Sequence, residues 1–297
     1  MPAPPFGHLL TAMVTPFTAD GALDVERAVE LAAYLVDELA HDGLVLNGTG
    51  GESPTTTDAE KSTLVRAVVD AVGDRAAVLA GVGTFDTAHS VELTRQAARA
   101  GAHGTLLVTP YYSKPPQAGL LAHLRTVAGA ADLPVMVYDI PHRAGVAIAT
   151  DTLLRLAEHP QVVAVKDAKG DLAASAAVMA QTDLAYYSGE DALTLPLLSV
   201  GAVGLVGTST HFGGREAAAM IRAYLSGDTA GALALHRRLL PLLTGIFATQ
   251  GAILVKAGLA LQGRPVGGLR LPLVEATAAE TEALARCLVA AGLPATA

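Results

Sequence analysis

The chain has 297 residues, a formal net charge of −8, 51% hydrophobic residues and 16% charged residues. That length and composition build one large α/β core or two smaller ones, and they exclude a disordered chain. Lys and Arg are scattered, so no basic face is offered to a phosphate backbone and no nucleic-acid partner is expected.

The opening stretch Met1-Pro2-Ala3-Pro4-Pro5 lacks a basic region followed by a long apolar run, and does not read as a signal peptide. Apolar stretches are broken by Gly, Pro or charge short of a membrane span, so no membrane association is expected. In chain order, short apolar runs read as strands at Leu9–Val14, Gly43–Leu46, Ala77–Ala80, Gly104–Val108, Val135–Tyr138, Val162–Lys166, Leu184–Tyr187 and Gly204–Val206. Between them, helical spacing predicts Ala28–Ala40, Asp58–Val72 after a Thr-rich capping stretch, Ala88–Ala100, Gly119–Ala130, Thr150–Ala157, Leu172–Ala180, Ala192–Ser199 and Arg215–Leu225. The strands are continuous apolar runs, as expected of a parallel sheet covered on both faces. Eight such units match a closed (β/α)8 TIM barrel over residues 1–225. An open doubly wound sheet would carry a dinucleotide fingerprint after its first strand, where Val14-Thr15-Pro16-Phe17 stands instead. Beyond residue 226 only helices are predicted, at Thr229–Leu243, Gln250–Leu261 and Ala278–Ala291. They form a C-terminal helical domain over 226–297. Its single cysteine, Cys287, cannot form an internal disulfide, has no Cys or His beside it for a metal, and reads as an inert thiol. Cysteine poverty fits a reducing compartment, so a cytoplasmic protein is expected.

In such a barrel, chemistry sits at the C-terminal ends of the strands. The second strand ends in Asn47-Gly48-Thr49-Gly50-Gly51-Glu52-Ser53. Its glycines can aim amides at an anion or simply make a tight turn. The sixth ends in Lys166-Asp167. A lysine closing an apolar strand is either a desolvated amine nucleophile or a lysine that pairs with Asp167 or reaches solvent. The fifth ends in Tyr138-Asp139-Ile140-Pro141-His142-Arg143, where Tyr138 is an acid/base candidate or a core tyrosine and Arg143 a carboxylate clamp or a surface residue. Of Tyr111 and Tyr112 after the fourth strand, at most one is expected to reach a given site, and an oligomer contact is the alternative reading of the pair. None of the nine histidines forms a His-x-x-x-His or His-x-His pair with an acidic partner, so no metal site is expected. Nothing in the pattern supports a triad of Ser209, His211 and Asp191.

Taken together, the segments Gly48–Pro54, Val108–Gln117, Tyr138–Arg143, Val165–Gly170 and Tyr187–Ala192 resemble the class I aldolase superfamily of dihydrodipicolinate synthase and N-acetylneuraminate lyase. The resemblance runs from Thr11–Phe17 to the helical tail, and Arg143 resembles the synthase branch. It implies a lyase that condenses pyruvate with aspartate semialdehyde to 4-hydroxy-tetrahydrodipicolinate, in lysine and diaminopimelate biosynthesis. It implies that Lys166 forms the Schiff base, that Tyr138 shuttles protons, that Thr49 relays them, and that Tyr112 is lent across a tight dimer interface. Gly50, Gly189 and Val206 match pocket positions, and Arg143 matches the arginine that holds the aldehyde's carboxylate. The resemblance implies no metal or organic cofactor, and it implies a homotetramer built as a dimer of dimers.

Two positions depart from the family pattern. Gly50 replaces a hydroxyl residue, with the loss of a hydrogen bond worth roughly 1.5–3 kcal/mol when buried, and is expected to leave room for a larger 2-oxo acid. Gly207 is expected to enlarge the pocket near Val206. Both keep open another 2-oxo-acid-dependent aldolase or hydro-lyase, or a catalytically weak paralogue that acts as a binding protein. Phe85 and His89 stand where lysine-sensitive relatives carry an amide and a carboxylate, so insensitivity to lysine is expected.

Overall fold

The computed structural model describes residues 4–295, so the first three residues of the proline-rich opening stretch lie outside it. Eight parallel strands close into a barrel in sequence order: β1 (Leu9–Ala12), β2 (Gly43–Leu46), β3 (Ala77–Gly81), β4 (Gly104–Val108), β5 (Val135–Asp139), β6 (Val162–Asp167), β7 (Ala185–Ser188) and β8 (Gly204–Gly207). Strand β8 pairs with β1, with Leu10 opposite Val206. The unbroken apolar runs follow from burial on both faces. Val45, Leu106, Met136, Tyr138, Ala164 and Tyr187 fill the barrel interior. Their neighbours Leu44, Leu46, Leu107, Val137, Val165 and Tyr186 pack outward beneath the helices. Several strands run one residue further than apolar character predicts. The polar ends Asp139, Asp167 and Ser188 still pair across β5, β6 and β7. The first strand is shorter than expected and stops at Ala12, although Met13 still donates its N–H to Val45 O at 3.0 Å.

The helices are α1 (Val25–Ala33, continued by a π-turn at Tyr34–Glu38), α2 (Asp58–Val72), α3 (Thr87–Arg99), α4 (Gln117–Ala128), α5 (Pro141–Ala144), α6 (Thr150–Leu156), α7 (Leu172–Met179), α8 (Thr194–Leu198) and α9 (Thr210–Leu225). Helix α2 starts where the threonines predict, because Thr57 and Glu60 form a reciprocal capping box. Helix α1 starts three residues before its predicted start, at an Asp24 cap that accepts from Arg27 N–H. Helix α9 starts at Thr210, not Arg215, and bends at Gly213. Gly214, just before the predicted start, serves close packing, since a Cβ there would stand 2.6 Å from Leu39 O. The four-residue α5 was not anticipated at all.

Three helices follow the barrel: α10 (Thr229–Gly245), α11 (Gly251–Leu261) and α12 (Ala278–Ala290). Helix α10 packs along α9 and α12, and α12 also packs on α11. The start of α11 reaches the barrel mouth, where Gln250, Gly251 and Ala252 line a cavity. Among the described residues, no helix is long and apolar enough to cross a membrane.

Candidate active site

Lys166 and Tyr138 are opposite each other in the β5–β6 ladder and both point into the top of the barrel. The ammonium of Lys166 stands 4.3 Å from the centre of the Tyr138 ring. Only 5% of Lys166 is exposed. Burial lowers its pKa to about 8, with Asp191 and Glu190 opposing the shift and Arg143 adding to it. The alternative pairing with Asp167 is not made. Adjacent strand residues face opposite sides, and Asp167 lies outside the barrel, where it accepts from Lys169 N–H at 2.8 Å and from the Ser175 hydroxyl. Burial also raises the pKa of the Tyr138 phenol, so the group carries its proton near neutrality.

A cavity of about 280 Å³ joins Lys166 and Tyr138 to Thr49, Gly50, Arg143 and Gly189, with Glu190 and Gln250 also on its wall. A neighbouring cavity of about 340 Å³ shares Thr49, Tyr138 and Arg143 and extends over Val108, Tyr111 and Leu273. Arg143 enters from α5, the short helix that Gly145 ends with a left-handed φ of +80°. Its side chain is exposed at the mouth, suited to meet an incoming carboxylate. Gly189 abuts the nucleophile: a Cβ there would stand 2.9 Å from Lys166 Cγ and 3.1 Å from Cε. The absent side chain makes room for the lysine stem.

Two of the expected residues lie elsewhere. Val206 is buried in the barrel interior among Tyr138, Ala164 and Tyr187 and lies outside the cavity wall. Tyr112 is 93% exposed, with φ +73°, and does not line this chain's own cavity. Its neighbour Tyr111 lines the adjoining space and packs edge-on to Phe85 at 5.5 Å.

Both expectations of extra room require correction. A Cβ at Gly50 would stand 2.9 Å from Ala12 O, so the missing side chain faces the main chain of β1, not open space. At Gly207 a Cβ would meet Thr210 Cγ2 at 2.6 Å. Gly207 faces outward because Val206 faces inward, and its lack of a side chain accommodates the start of α9. The specific support for a larger 2-oxo acid therefore disappears.

The Ser209–His211–Asp191 arrangement is structural. His211 accepts from Val14 N–H through Nε2 (3.2 Å), which leaves Nδ1 to donate to Thr208 O (2.8 Å). Burial lowers its pKa to about 4, so it stays neutral. Asp191 accepts from the main-chain N–H groups of Thr208 and Ser209, the latter at 2.6 Å, and so fixes the turn into α9. Sequence reasoning passed over Glu190 and weighed Asp191 only as a triad member, although two carboxylates just past a barrel strand are the signal that the strand-end rule seeks. It also passed over Glu52 and its buried partner Lys256, which are 204 positions apart and share no local pattern. Among the described residues, no group of three or more His, Cys, Asp or Glu side chains is arranged to hold a metal ion.

Residues 5–291 match the model of the dihydrodipicolinate synthetase family. A 4-hydroxy-tetrahydrodipicolinate synthase of Acidothermus cellulolyticus is 65% identical, over 97% of this chain and 93% of its own. One from Streptomyces coelicolor is 60% identical, over 98% and 97%. Among solved structures, a DHDPS from Cyanidioschyzon merolae with lysine bound superposes with a TM-score of 0.96 at 43% identity, covering 98% of this chain and all of that one.

Proposed function

The chain belongs to the dihydrodipicolinate synthetase family, and from that premise we propose that it condenses pyruvate with aspartate semialdehyde to 4-hydroxy-tetrahydrodipicolinate through an imine on Lys166. The observation that carries this reading is the desolvated Lys166 amine against the Tyr138 ring, in one cavity with Thr49, Gly50 and Arg143.

The neutral amine of Lys166 adds to the carbonyl carbon of pyruvate, and water leaves as the protonated imine forms. That cation withdraws electrons, so the pyruvate methyl group loses a proton and becomes an enamine carbon. The enamine attacks the aldehyde carbon, and the new oxyanion takes a proton. The product is cyclic, so the amino group of the semialdehyde then adds to the imine carbon and Lys166 leaves as the free amine. Each proton transfer needs a group in contact with the reacting atoms. Tyr138 fills that role, with Thr49 as its relay. The protonated imine is itself the electron sink, so the chemistry calls for no metal or organic cofactor. The Gly48–Gly51 loop offers main-chain amides to the pyruvate carboxylate, while Arg143 orients the carboxylate of the aldehyde.

Tyr112 belongs to the same proton relay only if it enters the site of a second copy of the chain. Its exposure supports that arrangement, and with it a tight dimer and a tetramer made of two dimers. A biosynthetic role and a single cysteine support a cytoplasmic setting. The test is to incubate the protein with pyruvate and borohydride, measure intact mass and map the modified peptide. A pyruvate adduct on Lys166, lost together with turnover in Lys166→Ala, is the expected result. The absence of an adduct with any 2-oxo acid would overturn the reading.

A further inference from the structure

The cavity loop after β2 begins and ends on residues that are left-handed without being glycine: Asn47 at φ +56° and Glu52 at φ +54°. Such backbone persists only where its surroundings over-determine it. Part of that constraint comes from the segment after β1, since Thr15 donates its hydroxyl to Gly51 O at 2.7 Å. A further part comes from the far end of the chain. The carboxylate of Glu52, 1% exposed, accepts from Lys256 Nζ of α11 at 2.7 Å. Its other oxygen accepts from Arg270 N–H at 3.0 Å. Lys256 also donates to Gly268 O at 2.6 Å and stands 4.3 Å above the Phe17 ring. The Arg270 guanidinium stands 4.2 Å from the same ring and grips both carboxylate oxygens of Glu60. On the other side of the loop, Lys61 donates to Ser53 O and Thr56 O.

A buried ion pair is weak evidence for stability, because taking two charges out of water offsets much of their attraction. Its use here is better explained by position. We propose that Glu52 and Lys256 are positioning residues for the substrate loop, through which the C-terminal helices hold the Thr49 hydroxyl and the Gly50 and Gly51 amides toward Lys166. The identity of the ligand, pyruvate, rests on the function proposed above; the mechanical link does not.

The experiment compares the parent with Glu52→Gln and with the charge-balanced Glu52→Gln/Lys256→Met variant. Three readouts are taken: the thermal midpoint, the borohydride trapping rate against pyruvate concentration, and amide exchange of residues 47–53 in ligand-free protein. The expected result is a pyruvate half-saturation raised several-fold in Glu52→Gln and at least tenfold in the double variant. Loop exchange should accelerate in both. A purely structural role would lower the midpoint and leave half-saturation and local exchange alone. Parent-like half-saturation and exchange in Glu52→Gln would overturn the proposal, whether or not the double variant folds. If the parent itself fails to trap pyruvate, the proposed function falls, and loop exchange alone decides the positioning role.

Discussion

Gly189→Ala adds one methyl group directly against the stem of Lys166. The new Cβ would stand 2.9 Å from Lys166 Cγ, 3.1 Å from Cε and 3.2 Å from Ala168 Cβ. Carbon atoms settle at about 3.5–4.0 Å, so the stem must give way by roughly 0.5–1 Å. Cγ is near the anchored end of the side chain, so its displacement carries through to Nζ. Overpacking of this kind costs about 1–3 kcal/mol, which leaves the protein folded with a lowered thermal midpoint. A misplacement near 1 Å at a reacting centre slows the chemistry about 100-fold. The assay is the rate of borohydride-trapped pyruvate adduct formation, read by intact mass, beside a thermal melt. Trapping at the parent rate with an unchanged midpoint would show that the lysine stem does not occupy the space Gly189 leaves.

Three further outcomes are expected. The nucleophile is the deprotonated amine of Lys166, and burial sets its pKa at about 8. Trapping should therefore rise about tenfold from pH 7 to pH 9 and then level off, as the neutral fraction goes from roughly a tenth to nine tenths. A rate still climbing through pH 10.5 would contradict a desolvated lysine. Gly50→Ser should lower stability by about 1–3 kcal/mol without tightening pyruvate binding, because its Cβ meets Ala12 O. A stable Gly50→Ser with tighter pyruvate binding would mean that the loop has room there after all. Lysine should not inhibit, since His89 already engages the Asp58 carboxylate at 2.9 Å and Phe85 offers no charge to an ammonium. An inhibition constant below about 1 mM, a binding free energy near −4 kcal/mol, would sink that expectation.

The sequence by itself determined the order and kind of the barrel elements. Burial on both faces leaves an unbroken apolar run at each strand, and that signal is local. It also marked Lys166, Tyr138, Arg143 and the Thr49–Gly50 loop, because strand ends and their loops are where a closed barrel collects its polar groups, and the family resemblance added Gly189. The cavity brings these six together. What the sequence misjudged is the direction in which an absent side chain points. Gly50 and Gly207 read as room in the pocket, yet one faces the main chain of β1 and the other Thr210. A one-residue step along a strand reverses the face, and only the assembled sheet says which side is the interior. The Lys256–Glu52 pair was illegible for a different reason. Its two ends lie in separate elements with no shared periodicity, and they meet only because α11 folds back onto the barrel mouth. The tertiary structure decided that contact, and with it the part of the substrate loop's conformation that the loop's own residues leave unspecified.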